Sequence, residues 1–312
     1  MSTVNDTKFQ FAVFLLTGLH GQEDFHLWIS IPFCFMYVIS IVGNSLILFI
    51  IKTDPSLHEP MYIFLSMLAI TELGISITTM PTILGIFLFN SREISLDACF
   101  MYFIHWASAM DSGIFVAMAL DRYVAICNPL RHSTILTNPV VAKIGLAVLL
   151  RSGLLALPLP FLVRQWPYCR TNIIRQPYCA HVAVVKLACA DTSVNSYYGL
   201  FVLFCVMGLD VIFIIVSYIQ ILRDIFSLPT KGARLKTFGT CGSHLCAILV
   251  FYIPGLFSSL MYRFGQNVAL HFHVLIGTIC LLLPSLLNPI IYGVRTKQIR
   301  DRVLRLFTHK GT

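Results

Sequence analysis

The sequence predicts an all-α membrane protein: a seven-transmembrane helix bundle with a short amphipathic cytoplasmic helix after the seventh span. Three observations carry that prediction. Apolar residues make up 57% of the chain and charged residues only 12%, whereas a soluble domain carries roughly 25% charged residues. Seven runs reach the roughly 20 apolar residues that cross a bilayer: 27–51, 60–88, 98–127, 141–163, 196–226, 238–262 and 271–293. The basic residues segregate by side. With the N-terminus outside, fourteen of the 22 lysines and arginines fall in the cytoplasm and seven fall outside, while Arg151 lies within the fourth span. That is the positive-inside bias. A single unit follows: 1–26 as extracellular N-terminus, 27–293 as helix bundle, 294–312 as cytoplasmic helix and tail.

Residues 1–26 read as polar, with no basic n-region and no small-residue cleavage site. No removable signal peptide is expected, and the first span would insert itself. Asn5-Asp6-Thr7 is a glycosylation sequon, usable only on an outer N-terminus. Prolines and glycines inside the spans are tolerated because neighbouring helices satisfy the freed backbone groups. The second and third spans each bury an acid, Glu72 and Asp111. Two carboxylates in low dielectric cannot cheaply both be charged, so one holds a proton or a cation sits between them. A neutral hydrogen-bonded pair that stiffens the bundle is the bland alternative. The third span ends in Asp121-Arg122-Tyr123. An Asp-Arg pair at the cytoplasmic mouth can neutralise itself at rest, then open and offer Arg122 to a partner; the bland alternative is a snorkelling anchor. Asp210 in the fifth span and Arg151 in the fourth have no partner assignable from sequence.

The loop at 164–195 is the long one. Cys99, Cys169, Cys179 and Cys189 lie on the outer side, where an oxidising lumen favours disulfides over thiols. Four cysteines allow three pairings, and spacing does not choose among them. A zinc site from Cys169, Cys179, Cys189 and His181 competes, although no metal is firmly predicted. The net charge of +8 reads as attraction to anionic inner-leaflet lipid and to a cytosolic partner. The basic residues form no aromatic-interleaved patch, so no nucleic-acid partner is expected. Neither a metalloprotease helix motif nor a nucleophile elbow nor a phosphate loop is present, which argues against an enzyme. A transporter or channel is the rival class, but transporters show internal inverted repeats, and none is visible.

Particular phrases carry a resemblance over essentially the whole chain. They are Gly43-Asn44, Leu57-His58-Glu59-Pro60-Met61-Tyr62, Met118-Ala119-Leu120-Asp121-Arg122-Tyr123-Val124-Ala125-Ile126-Cys127, Pro129-Leu130-Arg131-His132 and Ser217-Tyr218. Lys236-Thr237-Phe238-Gly239-Thr240-Cys241-Gly242-Ser243-His244 and Asn288-Pro289-Ile290-Ile291-Tyr292 complete the set. In this order they resemble the odorant-receptor branch of the rhodopsin-like (class A) G-protein-coupled receptors. The Ser56–Pro60 spelling, Arg263-Phe264-Gly265 and Tyr292–Arg300 are similar to the class I, fish-like odorant receptors. Two features depart from the wider rhodopsin-like pattern: Phe251-Tyr252-Ile253-Pro254 in the sixth span, and a fifth span with Asp210 and no proline.

The resemblance implies a multi-pass receptor of the plasma membrane, with its N-terminus extracellular. It implies the bridges Cys99–Cys179 and Cys169–Cys189. It implies a small odorant, a medium-chain carboxylic acid or another polar volatile, bound in the upper bundle by His105, His181, Ser259 and Arg263. An apolar wall of Met110, Phe201, Val202, Leu256 and Tyr252 would take the tail. Ser259 and Arg263 share a helical face, and His181 hangs two residues beyond Cys179. The implied switch residues are Asp121, Arg122, Tyr123, Tyr218, Asn288, Pro289 and Tyr292. The implied partner is a heterotrimeric G protein of the olfactory or stimulatory type, which raises cAMP. The resemblance places Glu72 and Asp111 near Asn44, Ser285 and Asn288 as a sodium or proton site; no other cofactor is expected.

Overall fold

The computed structural model describes residues 13–18, 26–100, 103–168, 171–174, 176–227, 229–264 and 270–308, apart from the side chains of 96, 100, 103, 236, 240, 262–264, 270, 273, 307 and 308. Within these, seven helical segments are long and apolar enough to cross a membrane: His26–Thr53, Pro60–Phe89, Asp97–Cys127, Asn138–Arg164, Ser193–Ser227, Lys231–Met261 and Val274–Arg295. Their order and number match the sequence prediction. The sixth helix departs most, because it begins at Lys231 rather than 238. Hydropathy marks where the bilayer ends, not where the helix ends. Ala233, Arg234, Leu235 and Lys236 are good helix formers and carry the helix into water.

The bundle is polar within and apolar without. Trp28, Phe35, Phe161 and Phe213 are each at least 60% exposed, while Asn44, Glu72, Asp111, Asp210 and Asn288 are buried. In lipid the outer apolar surface has no water to escape, so close packing and internal hydrogen bonds hold the helices together. Glycine permits two of the closest approaches. A Cβ on Gly43 would stand 2.8 Å from Pro289, and one on Gly113 would stand 2.7 Å from Val148. Helix ends follow local rules. Pro60 starts the second span at its first turn, where its missing N–H costs nothing. Asn90, in the left-handed region at φ 52°, ends it by donating its N–H to Gly85, a role Asn tolerates. The fourth span breaks at Leu157, before Pro158 and Pro160, because proline supplies no backbone donor.

The fifth span holds a π-helical stretch, Phe204–Leu209, between Ser193–Leu203 and Asp210–Ser227. One extra residue in the turn redirects carbonyls away from the ladder. Two of them are claimed from outside: Val206 O accepts from Ser112 Oγ (2.9 Å), and Cys205 O accepts from Arg151 Nη2 (3.2 Å).

A small sheet on the outer face adds to the all-α prediction. β1 (Val13–Leu16) is central, antiparallel to β2 (Glu93–Ser95) and parallel to β3 (Ile173–Ile174). The segment read as polar thus contains a strand that buries Phe14 and Leu16 on one face, the two-residue period of a pleat. These side chains pack with Ile86, Val163, Tyr168, Ile174 and Val184. Phe14 meets Tyr168 edge-on at 5.5 Å, and Tyr168 donates its hydroxyl to Val163 O at 2.6 Å. Burial pushes that phenol above its usual range. Each buried Phe or Leu stabilises such a water-facing cluster by about 1.5–3 kcal/mol. Asn5 lies outside the described residues.

At the end of the bundle opposite the sheet, the helix Lys297–Thr308 buries Ile299 and exposes Leu304. Arg302 pairs with Asp54, which caps the turn Pro55–Leu57 by accepting from the Ser56 N–H. The Ser56 hydroxyl beside it (2.8 Å), then the Ser56 N–H and Arg302, hold the Asp54 carboxyl below its ordinary range.

Candidate functional site

A cavity of about 240 Å³ opens in the outer half of the bundle, between the third, fifth, sixth and seventh spans and the long loop. Its upper end is polar: His105, Tyr178, His181, Ser258 and Ser259. Its middle is apolar, with Ile104, Val202, Leu203, Val206, Met207 and Phe251. Glu72, Asp111 and Ser285 close its lower end. This is below the roughly 300–1,000 Å³ of sites for drug-sized ligands, so the space suits a small molecule with one polar end.

The roof is fixed covalently. Cys99 and Cys179 are joined, with Cα atoms 5.5 Å apart and a sequence separation of 80. The bridge holds the loop over the third span and sets His181 against His105, their rings edge-on with centroids 6.3 Å apart. Cys189 is also disulfide-bonded; its predicted partner, Cys169, lies outside the described residues. Cysteines tied up in this way cannot serve zinc as thiolates, which removes the competing metal reading.

Below the cavity, four spans meet on one carboxylate. Asp210 Oδ2 accepts from Arg151 Nη2 (2.7 Å) and lies 2.5 Å from Ser112 Oγ, whose single proton it shares with Val206 O, and Ser112 Oγ lies 2.7 Å from the Tyr252 hydroxyl. The two charges without an assignable partner in the sequence are therefore each other's partner. Intramembrane charges face inward and pair, so that signal was present.

The acids at the cavity floor have separate first partners. Thr71 donates its hydroxyl to Asp111, and Asn288 Nδ2 donates to Glu72. Asn44 Nδ2 bonds Ser285 O (3.1 Å) and Ser40 O (3.0 Å), and its side chain also reaches the Glu72 carboxyl. Glu72 Oε2 and Asn288 Oδ1 are buried and lack a hydrogen-bond partner. Such oxygens call for a proton, a cation or water.

At the end of the third span away from the cavity, the Asp121 carboxylate is fully buried and held at both oxygens. Oδ2 accepts from Arg122 through Nε (2.9 Å) and Nη2, while His132 Nε2 lies 3.0 Å from Oδ1. The Arg122 guanidinium lies within electrostatic range of Tyr218, His244 and Tyr292. Tyr292 OH is 3.4 Å from His244 Nδ1, and the rings stand edge-on at 5.5 Å. Tyr123 packs half-buried against the same core, and Pro289 fills the notch of Gly43.

The family model described as olfactory receptor matches residues 33–310. The human olfactory receptor 52R1 is 53% identical over 294 residues, covering 94% of this chain and 93% of that relative. The human olfactory receptor 51G2 is 51% identical over 300 residues, 96% of each chain. The mouse olfactory receptor 51E2 is 48% identical over 306 residues, 97% of this chain and 96% of the relative. The chain belongs to the olfactory receptor family. It is thus an odorant-sensing G-protein-coupled receptor, a multi-pass membrane protein and not an enzyme.

In this receptor the predicted ligand residues divide. His105, His181, Val202 and Ser259 line the cavity. Phe201 and Leu256 do not; they are 54% and 39% exposed, on the outer face of the bundle. Each is one residue, or about 100° of helix, from an inward position: Val202 for Phe201, Gly255 for Leu256. Tyr252 and Met110 are buried without lining the cavity, Tyr252 because it is turned toward Ser112. The Arg263 side chain lies outside the described residues, although its backbone continues the sixth helix. Sequence reasoning missed His132, His244, Ser112 and Thr71. All four are ordinary polar residues whose partners come from other helices.

Proposed function

We propose that the cavity binds a medium-chain carboxylic acid or another polar volatile, head upward toward His105, His181 and Ser259, with Arg263 at the mouth. The apolar middle takes the tail. The observation that carries this reading is the cavity itself: histidines and serines at its upper end, an apolar middle, and a covalently fixed roof. A guanidinium suits a carboxylate through paired, charge-assisted hydrogen bonds.

Binding favours the state in which the sixth span moves away from Tyr252's contact with Ser112. The ligand must bind that state better than the resting one. At the inner end Arg122 leaves Asp121 and regroups with Tyr218 and Tyr292, opening a cleft for a heterotrimeric G protein of the olfactory or stimulatory type. The output is cAMP. A sodium ion or a proton between Glu72 and Asp111 stabilises the resting bundle; the unpartnered oxygens of Glu72 and Asn288 supply donor atoms beside Asp111. The receptor acts at the plasma membrane with its N-terminus extracellular and its basic inner face toward anionic lipid.

A cAMP assay in cells displaying the receptor, run against matched acids, alcohols and aldehydes with and without the stimulatory Gα, tests this. Responses to acids that require the Gα support it. Ion flux through the reconstituted protein, with no nucleotide exchange, would sink it.

A further inference from the structure

The deepest apolar part of the cavity is closed by a contact between two spans. Gly255 of the sixth and Met207 of the fifth both line it. A Cβ on Gly255 would stand 2.7 Å from Met207 Cε and 3.8 Å from its Sδ. The methionine methyl therefore occupies the space that any larger residue at 255 would need. Met207 sits within the π-helical turn Phe204–Leu209, whose backbone is held in place by Ser112 at Val206 O and Arg151 at Cys205 O. The backbone is anchored while the thioether, with three rotatable bonds, can swing. The open space beside it is the cavity.

We infer that Met207, seated in the notch of Gly255, is the adjustable plug that sets the length of odorant tail this receptor accepts. The inference rests on the binding reading above and deepens it. Ser259 stands four residues, about 6 Å, up the same helix from Gly255, and Arg263 stands eight residues, about 12 Å, up it. A molecule anchored by its polar head at the upper end sends its tail down toward Met207. A tail one methylene too long must lift the thioether off Gly255. One too short leaves the space beneath it empty.

The two residues give opposite perturbations of one contact. Gly255→Ala drives the Met207 tip into the cavity, at little cost to folding because only the end of a flexible side chain has to move. The preferred tail then shortens. Met207→Ala opens the apolar space beside Gly255, and the preferred tail lengthens. Each methylene gained or lost is worth about fourfold in EC50, the equivalent of ~0.8 kcal/mol per buried CH2. In the Met207→Ala background, Gly255→Ala has no methionine to displace, so its effect on length shrinks, the non-additivity expected of residues in contact.

The experiment is a set of cAMP dose–response curves for straight-chain carboxylic acids from butanoic to dodecanoic, and for the matched primary alcohols, with surface display measured in parallel. Opposite shifts of the optimum in the two single variants, with loss of the Gly255→Ala shift in the double variant, support the inference. Met207→Leu replaces Met207→Ala if the latter is not displayed; its shorter, branched side chain cannot fill the notch, and it should also lengthen the optimum. A responding wild type whose length optimum is unmoved by either position overturns the plug and leaves the binding reading intact. A displayed wild type silent to both series overturns the binding reading and the plug with it.

Discussion

Asp210→Ala is the most informative single perturbation of this receptor. It removes the acceptor of two charge-assisted hydrogen bonds, from Arg151 at 2.7 Å and Ser112 at 2.5 Å. Such bonds are worth roughly 1.5–3 kcal/mol each. Two considerations lower the sum. The Arg151 side chain is 34% exposed and keeps its bond to Cys205 O when Asp210 is removed. The unfolded reference in a membrane also finds polar partners, so intramembrane hydrogen bonds are worth less than that range. We expect a net cost of about 3 kcal/mol, or a fall in Tm of roughly 6–12 °C on the scale of large domains. Most of that cost is the abandoned charge rather than the lost pair. Arg151→Met combined with Asp210→Leu should therefore cost far less than the sum of Arg151→Met and Asp210→Leu alone, because replacing both members of a buried pair is often near neutral. The assay is thermal unfolding of the detergent-solubilised receptor, read by size-exclusion of a fluorescent fusion across the four-corner cycle. Strictly additive costs would refute the pairing, and with it the claim that Asp210 ties the fourth span to the third and fifth.

Four further outcomes are expected. Cys179→Ser should abolish surface display or odorant response, since a bridge spanning 80 residues stabilises by on the order of 2–4 kcal/mol; peptide mapping without reductant should recover Cys99 joined to Cys179, and Cys99 joined to Cys169 would contradict the structure. Arg122→Ala should still bind odorant but fail to drive nucleotide exchange, whereas Asp121→Asn, which loosens Arg122 and His132 together, should raise basal cAMP; full coupling by the Arg122 variant would remove the switch. Arg263→Ala should weaken acids about tenfold to a hundredfold while sparing matched alcohols, with partial rescue by Lys because an ammonium lacks the planar fork; equal losses would make Arg263 structural. Asp111→Asn should alter the sodium or pH dependence of basal signalling in a displayed receptor, and an unchanged dependence would leave the Glu72–Asp111 pair purely structural.

Span number and order were legible from composition, because a bilayer imposes one length and one polarity on every crossing segment. The family was legible from phrases such as Met118–Cys127 and Asn288–Tyr292, since local motifs survive in linear order. What a single helix face could not reveal was its rotation. Phe201 and Val202 are equally apolar, yet one faces outward and the other lines the cavity, because a fully apolar span carries no amphipathic signal to fix its phase. The strand Val13–Leu16 was hidden for a related reason. The short apolar run that ends in Val13–Leu16 signifies nothing until Glu93–Ser95 and Ile173–Ile174, far along the chain, offer edges to pair with. The Arg151–Asp210 bond, the contact of His132 with Asp121 and the Met207–Gly255 contact also belong to the tertiary structure. Each joins residues from different elements, and the sequence holds the donors, acceptors and notches without the distances that make them partners.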